Sequence, residues 1–514
     1  MTQRVCTVLG ITAALLALSI ASVFGGGTQE VAVDEEAVEI WIPAGSGPVD
    51  DWDEDPILAV VEEQTGTSIT IRNMDSEGFM DSLTAAIAGA NLPDIVGIVG
   101  TGELGTLQRW AEDGVIAPFE GAVAEAAPNV LRQYEVNPQL TEITIDDTVY
   151  FQPVSWGDET YPNMGLLHIR EDLVEEFGMD LPETFDEYFE YLERAKAEGH
   201  GRVVFPGNEG LGQAITSFSG AYGIASQGWV PVDGGYEYYA VQPETLDALL
   251  LFREMMERDL VSPSSWEFDG DAARGAYVAG DASALIFNGG GHTGRIQNDM
   301  ELVDDSMQNY LLPALRHETE QRGYTAEPQF WGFSFLGGMD HNNPVGGARV
   351  LNFLTSEEGY RLTAIGVEGI DHVVHDDGEI ELLPERRERG FPTEAGDTGA
   401  HPLATHIVSW VPQEWQDFQL LYGRSDEYRD WYEAMWENQG RYQVESFGLL
   451  ITSPSWRDFQ ATSHDLVAEA FLEIVNAPSE AQAEAAFDSF VEQWYAAGGE
   501  VSTQEMSEKL SDLY

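Results

Sequence analysis

The chain is 514 residues long, with 24 Lys+Arg against 90 Asp+Glu, a net charge of 24 − 90 = −66. That length, with a 43% hydrophobic share and 13 Trp, 19 Tyr and 23 Phe, excludes a small scaffold or a disordered chain and calls for several domains with sizeable cores. A field this negative repels phosphate backbones and anionic membrane surfaces, and no basic patch interrupts it, so no nucleic-acid partner is expected.

Lys196 and Lys509 are the only lysines. Dense carboxylates hold water where strong salt would strip it, so the pattern reads as a high-salt habitat, with ordinary secreted acidity as the alternative. Residues 1–25 read as a signal peptide: Arg4 precedes the apolar, small-residue run TVLGITAALLALSIASVF, with cleavage after Ala21 or Gly25. A retained anchor is the rival reading, since the run nears the length needed to span a bilayer. The sole cysteine, Cys6, lies ahead of that run and so cannot be an acylated lipoprotein cysteine. Secretion then places a cysteine-free mature chain in the periplasm or outside the cell. Residues 26–37 form an acidic tether.

Strands are predicted over 38–42, 68–72 and 94–99, alternating with helices from Pro56 to the stop at Gly66 and over 77–89. Such alternation builds a mostly parallel sheet with covered faces. Asp55 is a good N-cap and Pro56 a good first-turn residue. Further on, 148–153, 164–169 and 282–287 read as strands, and 106–112, 183–199, 242–259, 344–356 and 358–365 as helices. Helices near 463–476 and 480–497 close the chain. Thr184 or Glu183 caps the helix over 183–199.

Gly100, Gly102 and Gly105 match a dinucleotide fingerprint between a strand and a helix. No second strand ending in a ribose-binding acid follows, so a glycine-rich turn is the preferred reading. Asp51, Asp53, Asp55 and Glu62 copy the acidic spacing of a calcium loop, but Pro56 stands where glycine is needed, and a helix cap is the better account. No metal site and no cofactor is expected. No HExxH, GxSxG or GxxxxGK[ST] occurs, and the ten histidines form no i,i+4 pair. Paired carboxylates have no diagnostic value in a chain with this many acids.

The run MGLLHIREDLVEEFGMDLPETFDEYFEYLERAK over 164–196 resembles the signature of family 1 extracellular solute-binding proteins of ABC importers. Arg170, Asp172, Gly178, Pro182, Thr184 and Glu187 fall on its recurring positions. IAGANLPDIV, AEDGVIAPFE, DDTVYFQPV, RGAYVAGDASALIFNGG, LTSEEGYRLTAIGVEGIDH and FVEQWYAAGGE follow in family order. They resemble the large branch that includes alginate-oligosaccharide and Gram-positive lipoprotein binders. The resemblance implies an α/β, two-lobed periplasmic-binding-protein type II fold with crossing hinge segments. It implies residues 38–150 and 272–330 in lobe 1, with 151–271 and 331–514 in lobe 2. The implied function is capture of a carbohydrate, an oligosaccharide, in the interlobe cleft and its delivery to ABC permease subunits, by a monomer with no catalytic activity.

Sugars suit such a cleft because aromatic faces stack on pyranose rings while polar side chains meet hydroxyls. Open α/β sheets bind at the carboxyl ends of their strands. Candidate ligand contacts are therefore Asp51 and Trp52, Glu103, Trp156, Phe218 and Tyr222, Asn288 and His292 in a loop expected to return to lobe 1, and later Trp331 and Trp410. Trp110, Trp431, Trp436 and Trp494 sit at helical spacing and are assigned to packing. The family's Asn-Gly-Pro-aromatic loop is here Asn288-Gly-Gly-Gly-His292, which puts stacking there in doubt. AEGHGRVVFPG (197–207) stands where the branch often has a calcium loop, so a calcium ion there is not expected. A secreted polysaccharide-active enzyme and a peptide-binding transport protein, clamped by Arg295 or Arg170, remain the alternatives. The negative field favours a neutral or cationic ligand unless a local arginine overrules it.

Overall fold

The computed structural model describes residues 36–43, 52–74, 78–100, 103–136, 138–155, 161–207, 210–327, 330–376, 378–383, 401–408, 418 and 421–514. Strand β1 (Ala37–Pro43) precedes α1 (Pro56–Thr65), β2 (Ser68–Met74), α2 (Phe79–Ala88), β3 (Ile95–Val99) and α3 (Leu104–Glu112). The local chemistry foreseen for α1 is present: the Asp55 carboxylate accepts the Leu58 N–H at 2.8 Å, and Gly66, at φ 65°, turns the chain out of the helix. Two short helices, α4 (Gly121–Ala126) and α5 (Pro128–Val136), lead to β4 (Phe151–Ser155).

Next come β5 (Tyr161–Pro162), β6 (Leu166–Arg170), α6 (Glu171–Phe177), α7 (Phe185–Glu198), β7 (Val203–Val204) and α8 (Leu211–Gly220). The hairpin β8 (Trp229–Val232) and β9 (Gly235–Tyr238) precedes α9 (Pro243–Glu257), α10 (Gly270–Val278), β10 (Ala284–Phe287) and α11 (Gly291–Val303). Then follow β11 (Asn309–Leu311), β12 (Tyr324–Glu327), β13 (Phe330–Leu336), α12 (Pro344–Leu354) and α13 (Glu357–Ile365). A second hairpin, β14 (His372–Val374) and β15 (Ile380–Leu382), precedes α14 (Pro402–Ile407) and α15 (Asp426–Gly440). The chain closes with β16 (Gln443–Glu445), α16 (Pro454–Val475), α17 (Glu480–Trp494) and α18 (Glu500–Leu513).

Two sheets organise these elements. The first runs β2-β1-β3-β13-β4, with β1 parallel to β2 and β3, and β13 antiparallel to both β3 and β4. Alternation along β1 covers both faces: Val38, Ile40 and Ile42 join α1 and α12 in one core, while Trp41 joins α2 and α3 in the other. The second sheet runs β11-β6-β10-β7 and is buried under α7, α8 and α9, with Phe185, Phe189, Phe205 and Phe252 wholly inaccessible. A ribbon of β16, β12 and β5 lies beside it.

This topology corrects the lobe boundaries read from the sequence. The segment 282–290, expected to return to lobe 1, instead holds β10, which pairs antiparallel with β6 and parallel with β7 inside the second sheet. The return is made by β13, so 272–327 belongs to the second lobe. Of the described residues, 330–365 and 401–408 belong to the first, where α12 and α14 pack on its sheet. Pairing partners decide this, and partners far apart in the chain leave no mark on the apolar period of a single strand.

The C-terminal helices complete the second lobe. Trp494 stacks on Tyr238 with ring centres 5.3 Å apart, and its Nε1 donates to Ser463 Oγ at 2.7 Å. The start of α16 reaches the first lobe, where Arg457 pairs with Glu112 at 3.0 Å and Thr452 bonds Gln108.

Candidate functional site

The chain leaves the first sheet after Ser155 and re-enters it at Phe330, beside the carboxyl end of β3, since Gly332 pairs with Val99. That edge therefore faces the second lobe. On the opposite side, the second lobe is entered at Tyr161, and Phe287 at the end of β10 pairs with Leu166 at the start of β6. The loop after β10 thus lies on the edge turned toward the first lobe, where open α/β sheets take ligands.

Around that loop the structure gathers an aromatic and polar surface. Trp436, half-buried on α15, lies over Gly290: a Cβ there would meet Trp436 Cη2 and Asn163 Oδ1, each at 3.6 Å. Gly290 has φ 56°, a conformation that glycine takes without strain. Tyr161 braces the indole, with ring centres 5.3 Å apart and its hydroxyl donating to the Trp436 carbonyl at 2.6 Å. Burial pushes the Tyr161 hydroxyl up to about 12, so it remains a neutral donor. Gln439, the penultimate residue of α15, accepts the Gly290 N–H at 2.7 Å and holds the loop in place.

Of the residues proposed from sequence, Asn288 and His292 are brought into this surface. The Asn288 carbonyl accepts from His168 Nε2 at 3.0 Å, while its side-chain Oδ1 is buried without a partner. His292 stands edge-on to Phe287 at 5.3 Å, its Nδ1 also buried and unpartnered. Burial is the main cause that lowers the His292 pKa to about 4, with Arg274 and Arg295 adding to it, so the ring is neutral at pH 7. Trp436 Nε1 is a third buried group without a partner.

Trp52 and Glu103 lie on the first lobe. Trp52 follows the end of β1, edge-on to His401 at 5.6 Å, with its Nε1 buried and unpartnered. Glu103 is half-buried after β3, where its carbonyl accepts from Thr106 and Leu107 at the start of α3. Trp331 falls where the β13–β4 register slips between Phe330 and Gly332, a bulge at the same sheet edge. Asp51, Trp156 and Trp410 lie outside the described residues.

Two sequence candidates are corrected. Phe218 is wholly buried, its ring 4.7 Å from Phe185 and 5.3 Å from Phe252, because α8 is clamped into the core where Gly220 meets the Gly323 backbone. Tyr222 sits past the end of α8, near the start of β12 and away from the crossing. There it lines a separate groove of about 710 Å³ with Arg322 and Tyr442. Arg170, one of the two suggested clamps, is buried and held in a fork by Asp172 at 2.8 and 2.5 Å, so its charge is already engaged by a carboxylate of the chain.

Trp110, Trp431, Trp436 and Trp494 all pack, as expected, Trp436 against Tyr432 and Tyr161 while it also lies over Gly290. Aromatics at 428, 431, 432 and 436 follow the i, i+3, i+4, i+8 spacing of a single apolar stripe, so the sequence did not set Trp436 apart from its neighbours. Tyr161, Asn163 and Gln439 gave no local signal, because they come together only across the fold.

The chain belongs to the bacterial extracellular solute-binding protein family, whose sequence model matches residues 49–359. It is 24% identical over 230 residues to the fructooligosaccharide ABC transporter substrate-binding protein FusA of Streptococcus pneumoniae, covering 41% of this chain and 42% of that one. It is 22% identical over 304 residues to lipoprotein LipO of Bacillus subtilis, covering 54% and 55%. The matched stretches thus span about half the length of these relatives. Among solved structures, alginate-binding protein AlgQ2 superposes with a TM-score of 0.72 at 13% identity over 92% of this chain and 97% of that one. FusA of S. pneumoniae in complex with kestose does so with 0.69 at 17% over 93% and 99%. These superpositions show the two-lobed solute-binding fold. Among the described residues no helix is long and apolar enough to cross a membrane.

Proposed function

We propose that this protein is the substrate-binding component of an ABC importer, holding an oligosaccharide between its lobes and delivering it to membrane permease subunits. One observation carries the reading: an indole face, Trp436 braced by Tyr161, stands beside buried polar groups that lack partners, Asn288 Oδ1, His292 Nδ1 and Trp436 Nε1. Leaving a buried polar group unpaired costs about 1–3 kcal/mol, and a sugar supplies both a C–H face for the ring and hydroxyls for those groups. The family, and the fructooligosaccharide transporter named among its relatives, support the same reading. In this reading the chain binds without turnover and acts as a monomer in the periplasm or outside the cell.

The test is native mass spectrometry of the purified protein, followed by calorimetric titration of fructo-, malto- and uronate oligosaccharides. One-to-one binding of an intact oligosaccharide supports the proposal. Cleavage of the ligand, or binding of peptides alone, overturns it.

A further inference from the structure

Arginine in this chain is mostly engaged by carboxylates: Arg72, Arg202, Arg253, Arg258 and Arg316 each hold one within 3.1 Å. Arg295 departs from that pattern. It lies on the second turn of α11, half-buried, and makes no hydrogen bond or ion pair with any described residue. Even Asp299, one turn further on, is not paired with it. Among the described residues no carboxylate neutralises it.

Its neighbourhood adds positive charge. Helix α10 packs against α11 and β10, bringing Arg274 beside it with a side chain only 13% exposed. Among the described residues Arg274 pairs with Asp271, at 3.1 Å, whose side chain is 87% exposed. Burial first, and then Arg295, lowers the Arg274 pKa, so the two guanidinium groups repel each other. The corner adjoins the ligand edge: His292 precedes Arg295 by three residues on the same helix face, and α11 begins at Gly291, directly after the loop under Trp436. The positive end of this helix points the same way.

We propose that Arg274 and Arg295 receive the carboxylate of an acidic sugar unit, which makes the ligand an oligouronide rather than a neutral oligosaccharide. The inference rests on the carbohydrate-importer reading and names its substrate class. A carboxylate matches the planar guanidinium fork and relieves the repulsion between the two arginines. The overall negative field does not forbid it, because salt screens distant charges within about 8–10 Å while contact pairs persist.

The experiment titrates the mature protein with short oligouronides and with the same oligosaccharides after their carboxyl groups are reduced to hydroxymethyl groups. The acid form is expected to bind about tenfold tighter or more. Arg295→Gln and Arg274→Gln should bring the ratio of the two affinities close to one, and Arg295→Lys should keep part of the preference. Equal binding of acid and reduced forms by the unaltered protein overturns the inference, as does an unchanged ratio in Arg295→Gln. If Arg274→Gln fails to fold, the half-exposed Arg295→Gln still decides. Binding of the reduced form without preference leaves the importer reading standing, whereas binding of no saccharide at all removes both.

Discussion

At the scale of single residues, the aromatic surface is where affinity should concentrate. Trp436→Ala removes the stacking face and should weaken oligosaccharide binding by about tenfold or more, as loss of a central aromatic contact usually does. The melting temperature should change little because the side chain is half-exposed. Titration calorimetry beside thermal unfolding separates the two effects. Histidines contribute a pH dependence whose sign is set by burial. His168 and His292 have pKa values lowered to about 4, against an unfolded value near 6.5. Between those limits the unfolded chain binds more protons than the folded one, so this stabilisation is complete above about pH 6.5 and is lost as the pH falls toward 4. His168→Gln should therefore lose less stability than the unaltered protein over that window in urea unfolding. Parallel curves would count against neutral buried imidazoles.

At the scale of elements, helix ends were legible and sheet partners were not. The capping box of α7 is complete: Thr184 Oγ1 accepts the Glu187 N–H at 3.2 Å, and the Glu187 carboxylate accepts the Thr184 N–H at 3.0 Å. Thr184→Ala should cost about 1 kcal/mol in urea unfolding, an effect that a cap of no consequence would not produce. The cap, like the Asp55 and Gly66 limits of α1, was readable because it is written within four residues. By contrast, β10 was read correctly as a strand and placed in the wrong lobe. Its alternatives, pairing with β3 or with β6, differ only in which distant segment is at hand. Phe218 was placed in the site rather than the core for a related reason. A helix repeat shows that one face is apolar, but only the packing of α8 and α15 shows what that face meets.

At the scale of the whole molecule, charge and topology act together. With −66 charges, repulsion opposes the compact state, so unfolding free energy should rise as KCl shortens the Debye length from about 10 Å at 0.1 M to about 3 Å at 1 M. Urea denaturation across that range tests the high-salt reading drawn from the scarcity of lysine, and a flat response would remove it. The sequence by itself determined the strand–helix alternation, the caps, the acidic exterior and, through an ordered series of short motifs, the family. These rest on composition and on contacts between near neighbours in the chain. Tertiary structure alone decided that β13 makes the return to the first lobe and that Tyr161, Gly290 and Trp436 form one surface. It also decided that Arg295 pairs with none of the described carboxylates. The first two outcomes depend on residues more than a hundred positions apart, whose meeting is set by the joint burial of both sheets rather than by any local pattern.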